Sequence, residues 1–261
     1  MISEEELFER ERARFDRLCM EAVATEHVSG QAGIGTLAEK RLHAVIKRFL
    51  AADERYQEVG IPDTRYVADV RIGNHIFEVQ TGDFAPMRDK IAYYLEHTDC
   101  AVTVVHPIPV KKWISWIDPK SGEISERARA PKKKPCDLLP QLYALLPMLG
   151  NPRLRFRLLL IEAHDFRMLS TRSKKPKSRA KKYERIPLSL IGIMDFDEAA
   201  DFRALIPPDL PAHFTVKEFS KRSHLHGIDA YSAVRALVAL GLFAEGERIG
   251  RSMGFIKTET A

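Results

Sequence analysis

Cysteine is scarce in this 261-residue chain: three residues, Cys19, Cys100 and Cys136, scattered and odd in number. They form neither a disulfide framework nor a zinc motif. No apolar run approaches the roughly 18 residues that span a bilayer, so no membrane partner is expected. The first residues, Met1-Ile2-Ser3-Glu4-Glu5-Glu6, are acidic and lack the basic start and apolar stretch of a signal peptide. A cytoplasmic location is the expectation that follows. Tryptophan is rarer still, at two residues.

Charge, by contrast, is plentiful and unevenly spread. The net charge is only +5, yet two stretches are strongly basic. Lys111 to Lys134 includes Lys111, Lys112, Lys132, Lys133 and Lys134, and Arg172 to Arg185 includes Lys174 and Lys175. Such clusters neutralise phosphates and release counterions. A nucleic-acid partner is therefore expected, a solvated basic loop being the alternative, and the sequence also allows a homodimer. The second run reads as a long exposed basic loop.

Periodicity orders the elements. Residues 3–24 read as an amphipathic helix carrying Leu7, Phe8, Phe15 and Leu18. Gly30, Gly33 and Gly35 break it. A second helix starts near Thr36, with Leu42, Val45, Ile46, Phe49 and Leu50 along one face. Strands are expected at Tyr56–Val59, Tyr66–Ile72 and His75–Gln80, the last two joined by the turn Gly73-Asn74. A helix starting at Pro86 runs to about His97. Ala101–His106 and Trp113–Ile117 read as separate strands, Asp137–Leu149 as a helix, and Arg155–Glu162 as a strand. The order points to an α/β sandwich. The expected division is an N-terminal helix over 1–30, a core over 31–170, a basic loop and linker over 171–210, and a small domain over 211–261.

The hairpin sets up chemistry. If Gly73 and Asn74 form the loop, Ile72 pairs with His75, Val70 with Phe77 and Asp69 with Glu78. Two carboxylates facing each other across antiparallel strands destabilise a sheet by a few tenths to about 1 kcal/mol. A divalent cation turns that repulsion into coordination, and Mg²⁺ (or Mn²⁺) suits one or two carboxylates completed by water and phosphate. Gln80, two residues beyond Glu78, shares its face.

Tyr66-Val67-Ala68-Asp69, a turn and then Glu78-Val79-Gln80, flanked by helices, resemble the PD-(D/E)XK phosphodiesterase superfamily over residues 33–118. The resemblance implies a restriction-endonuclease-like α/β/α core with a mixed sheet, acting as a metal-dependent nuclease on DNA. It makes Asp69 and Glu78 metal ligands and puts Gln80 where the family has lysine. The missing charge is expected from Lys90 or Arg88 on the following helix. Glu39 matches the family's helical glutamate as a third ligand, although Thr36 and Glu39 also form a capping box. His43, His75 and His106 read as structural or solvated. A second reading is a catalytically inactive nuclease-fold protein with a DNA-binding or regulatory role.

His213–Lys257 resembles a winged helix: Thr215–Ser223, then Asp229–Leu240 as the helix for a major groove, then a basic hairpin around Gly250. Expected contacts are Lys221, Arg222, His224, His226, Tyr231, Arg235 and Arg251.

Overall fold

The computed structural model describes residues 3–24, 38–171 and 177–258, with side chains in the second helix from residue 41. Helix α1 covers Glu4–Ala24 and α2 Ala38–Leu50. Strands β1 (Gln57–Gly60), β2 (Val67–Ile72) and β3 (His75–Val79) lead to helix α3 (Arg88–His97). Then come β4 (Ala101–Ile117), β5 (Ala128–Arg129), the short α4 (Leu139–Leu142), β6 (Leu154–Met168) and β7 (Lys181–Phe196). The chain continues through β8 (His213–Thr215), α5 (Val216–Ser223), α6 (Ile228–Ala239), β9 (Phe243–Ile249) and β10 (Ser252–Lys257).

The protein is α/β. A seven-stranded sheet has the order β1-β2-β3-β4-β6-β7, with β5 beside β4, and a three-stranded sheet has the order β8-β10-β9. The larger sheet is mixed, because β2 and β3 are antiparallel while β3 and β4 are parallel. A parallel neighbour needs a crossover, which α3 supplies.

Two compact units emerge, each built from three chain segments: residues 1–58, 107–134 and 159–193 in the first, and 59–106, 135–158 and 194–261 in the second. The expected cuts at 30, 170 and 210 do not match this division. The reason is the length of β4, β6 and β7, each of which contributes residues to both units. The stretch 171–210, expected as loop and linker, contains β7 and a 3₁₀ helix at Ala199–Leu205.

In the first unit, α1 and α2 meet through Phe15 and Phe49, whose rings pack edge to face at 5.2 Å. Leu42, Val45 and Ile46 are buried as their helical spacing requires. Of the apolar positions expected to anchor α1, Phe15 is buried but Leu7 is exposed; Cys19, one turn beyond Phe15, takes the second buried place. Asp16 fixes α1 to β7 by accepting from Ser189 Oγ and the Leu190 N–H, both at 2.9 Å.

In the second unit, Gly73 turns the β2–β3 hairpin with φ 58°, where a side chain would strain the backbone. The C-terminus of α3 is closed by Arg153, whose guanidinium donates to the carbonyls of Leu95, Thr98 and Cys100. That satisfies carbonyls the helix leaves open and places a cation at its negative end. Residues 213–257 pack Phe214, Phe219, Phe243 and Phe255 together. Thr215 and Glu218 form the expected capping box on α5.

Candidate functional site

The hairpin register is as counted from the sequence: Ile72 opposite His75, Arg71 opposite Ile76 and Val70 opposite Phe77. One further step along both strands puts Asp69 opposite Glu78. The Val79 N–H donates to Asp69 Oδ2 at 2.7 Å, holding that carboxylate across the strand gap. Glu78 is buried, at 3% exposure. A side chain in that environment needs partners, and α3 supplies two. Lys90 Nζ lies 2.5 Å from Glu78 Oε2, and the Tyr94 hydroxyl donates to Oε1 at 3.2 Å.

Lys90 and Tyr94 are one helical turn apart, so both point at the same spot on the sheet. Tyr94 is fully buried, and the Lys90 ammonium sits 5.9 Å above its ring. Tyr66 closes the cluster from just before β2, with its ring 6.2 Å from that of Tyr94.

The electrostatics are those of a crowded acid pair. Burial first, and then the neighbouring charge of Asp69, push the Glu78 carboxyl up to about 7. Lys90 and Tyr94 oppose that rise without cancelling it. Burial and the Glu78 charge likewise raise the Tyr94 phenol, so it stays a hydrogen-bond donor. Glu78 is thus poised between its protonated and ionised forms near neutral pH.

One of the expected residues stands elsewhere. Gln80 follows the last residue of β3, and its amide donates to the Asp83 carbonyl, inside the turn that leads to α3. Its backbone carbonyl faces His106 Nδ1 at 2.5 Å. The strand ends one residue too early for period-two alternation to keep Gln80 with Glu78. Glu39 lies in the first turn of α2, and its side chain falls outside the described residues. His75 stacks on Phe77 at 4.2 Å and bonds to Thr103 Oγ1 at 2.8 Å, a structural role. Tyr94 is the residue that sequence reasoning missed; its place one turn after Lys90 was the available signal.

The expected nucleic-acid contacts divide similarly. Lys132, Lys133 and Lys134 are exposed, while Lys111 pairs with Glu162 at 2.7 Å. Lys112 is half-buried near Asp165 and Arg185, and burial lowers its affinity for a proton. Lys174 and Lys175 lie outside the described residues. Around α5 and α6, Lys221, His224, His226 and Tyr231 are exposed, as is Arg251 at the β9–β10 turn. Arg222 instead bonds to the Asp209 carbonyl at 2.9 Å, and Arg235 pairs with Glu245 at 2.5 Å.

Among the described residues, no group of three or more His, Cys, Asp or Glu could hold a metal ion, and no helix is long and apolar enough to cross a membrane. The fold and site define an α/β protein with a mixed sheet and a carboxylate pair, its Glu78 member buried, beside a helical lysine. The chain belongs to the family described as domain of unknown function (DUF8091), which it matches over residues 40–197. Asp69, Glu78, Lys90 and Tyr94 all fall within that match. No curated protein and no solved structure matches the chain.

Proposed function

We infer that the second unit carries a divalent-metal-dependent phosphodiesterase centre acting on DNA, in a restriction-endonuclease-like core. The observation that carries this reading is the meeting of Asp69 and Glu78 with Lys90. The donor set fits Mg²⁺ or Mn²⁺: two carboxylates on rigid neighbouring strands, one destabilised by the other's charge. A cation bound there would supply charge neutralisation at a phosphate and acidify a water ligand.

The chain's own residues account for the rest. The Val79 N–H fixes the direction of Asp69. Tyr94 holds one oxygen of Glu78, leaving the other to Lys90. Lys90 is partly exposed, so its ammonium is free to exchange Glu78 for a phosphate oxygen. It stands in for the lysine that Gln80 replaces, approaching from the helix instead of the strand. Residues 213–257 act as a winged-helix module, presenting Lys221, His224, His226 and Arg251 to the duplex.

A second reading, a catalytically inactive DNA-binding or regulatory protein, is favoured by one contact. The Lys90–Glu78 pair satisfies the buried acid without any metal.

The test is cleavage of plasmid, branched and single-stranded DNA with Mg²⁺ or Mn²⁺. The Asp69→Ala, Glu78→Ala double variant should lose at least about a thousandfold in rate, equivalent to roughly 4 kcal/mol. Full activity in that variant overturns the assignment. Metal-independent DNA binding without cleavage of any substrate selects the second reading.

A further inference from the structure

The first unit contains a second concentration of chemistry that the carboxylate site does not use. Both tryptophans of the chain, Trp113 and Trp116, lie on β4. The Trp113 ring has three cations around it: Arg127 at 4.5 Å from its centroid, Arg129 at 5.8 Å and Lys111 at 6.0 Å. Its indole N–H donates to Glu162 Oε1 at 2.6 Å, and the other oxygen of Glu162 takes Lys111. The ring's edge is therefore fixed while one of three positive charges is neutralised.

The same sheet face continues beyond Trp113. Alternation places Glu162, His164 and Phe166 of β6 on one side of their strand, and Glu162 contacts Trp113. The rings of His164 and Phe166 lie 4.2 Å apart, and His164 Nε2 is 3.0 Å from Ser115 Oγ on β4. Burial, and then the charge of Arg127, lower the proton affinity of His164. Both favour its uncharged form. Trp113, His164 and Phe166 are each half-buried.

Cations over an indole gain only about 0.5–1 kcal/mol each when exposed, so a better stacking partner displaces them. A nucleobase stacked on an aromatic side chain is worth about 1–3 kcal/mol. A displaced guanidinium then has a phosphate within reach of the base that replaced it. Duplex bases are already stacked and cannot use the ring. An acidic peptide would meet the charges and leave the indole idle.

We propose that this face of the first unit binds single-stranded nucleic acid, with a base stacked on Trp113 and the flanking phosphates taken by Arg127, Arg129 and Lys111. The proposal rests on the nucleic-acid reading above but needs no metal, so it stands or falls separately from cleavage.

The chain offers its own reporter, because Trp113 is one of only two tryptophans in the sequence. The full-length Trp116→Phe variant, leaving Trp113 as the sole indole, is titrated in EDTA with oligo(dT) of about 15 nucleotides. Trp113 fluorescence should be quenched by the oligonucleotide, and markedly less by a duplex carrying equal phosphate. Affinity for a labelled oligonucleotide should fall roughly tenfold in Trp113→Ala and be largely restored in Trp113→Phe. Arg127→Ala should reduce the slope of log affinity against log salt by about 0.7. Equal quenching by polyglutamate or by the duplex overturns the proposal, as does undiminished binding by a folded Trp113→Ala variant. Should Trp113→Ala not fold, an unchanged salt slope in Arg127→Ala overturns it.

Discussion

Asp165 in the first unit and Glu78 in the second are equally buried, at 3% exposure, and each carboxylate lies 2.5 Å from a basic side chain. Their acidities nevertheless move in opposite directions. For Asp165, burial works to raise the carboxyl, but two hydrogen bonds from Arg185, its charge and those of Lys112 and Arg167 hold it below the ordinary range. For Glu78, burial is joined by a second negative charge, Asp69, and a single lysine does not offset both. Asp165 is a closed pair, with a planar bidentate partner and cations in excess. Glu78 is an open one, short of positive charge. A shortage of that kind marks a place where a ligand adds stability, so it is the more informative of the two about function.

The largest expected effect that separates them is on folding. Asp165→Ala strands Arg185 against a buried site and should cost about 3 kcal/mol in denaturant unfolding, while any metal-dependent cleavage survives. A loss of cleavage in the folded variant would erase the distinction.

Next comes pH. Glu78 in the unfolded chain titrates near 4.5, and in the fold near 7. Below pH 4.5 it is protonated in both states and its contribution is fully present. As pH rises through 7 that contribution is lost, by roughly 3 kcal/mol or less, since a shift of one unit is worth about 1.4 kcal/mol. Metal-free unfolding measured from pH 4 to 8 should therefore show declining stability that Glu78→Gln flattens. Asp165 behaves in the opposite sense, losing its contribution as pH falls through its depressed range.

Lys90→Met sharpens the comparison further. It removes the one cation restraining Glu78, so the pH midpoint should move upward from about 7. Cleavage should fall roughly ten- to a hundredfold, about 1.4–2.7 kcal/mol. A midpoint that stays in place would show that Lys90 is not electrostatically coupled to the acid. Tyr94→Phe should have the smallest effect, about 1 kcal/mol of stability for one neutral donor to a carboxylate, with a slight further rise of the midpoint.

The hairpin was legible because its determinants are local. Gly73 sets the turn, and period-two alternation carries the register from Ile72 and His75 to Asp69 and Glu78. The α5 capping box and the apolar face of α2 were legible for the same reason. Longer strands were not. Ala101–His106 and Trp113–Ile117 are one 17-residue strand, β4, through Pro107 and Pro109. Those prolines fall after β3 pairing stops at Val105 and before β5 pairing begins at Trp113, where a missing N–H breaks no ladder bond to β3 or β5. The expected helix at Asp137–Leu149 is helical but broken, a 3₁₀ helix at Pro135–Leu138, the one-turn α4 and a second 3₁₀ helix at Tyr143–Met148, with Pro140 and Pro147 removing donors. The second basic run hid the start of β7, since Lys181 and Lys182 are exposed strand residues whose charge imitates a loop. At the site, position along the chain suggested Lys90, but only the packing of α3 against β3 revealed that Glu78 is its partner.

Every side chain of that site belongs to the stretch from Tyr66 to Tyr94: a tight hairpin followed by one helix. Contacts so close in sequence need little loop closure and form early on a folding pathway. Asp16 and Ser189, by contrast, meet only after most of the chain has been ordered. The acid pair and its partners are therefore a local cluster, and its amides should be among the first in the second unit to gain protection during refolding.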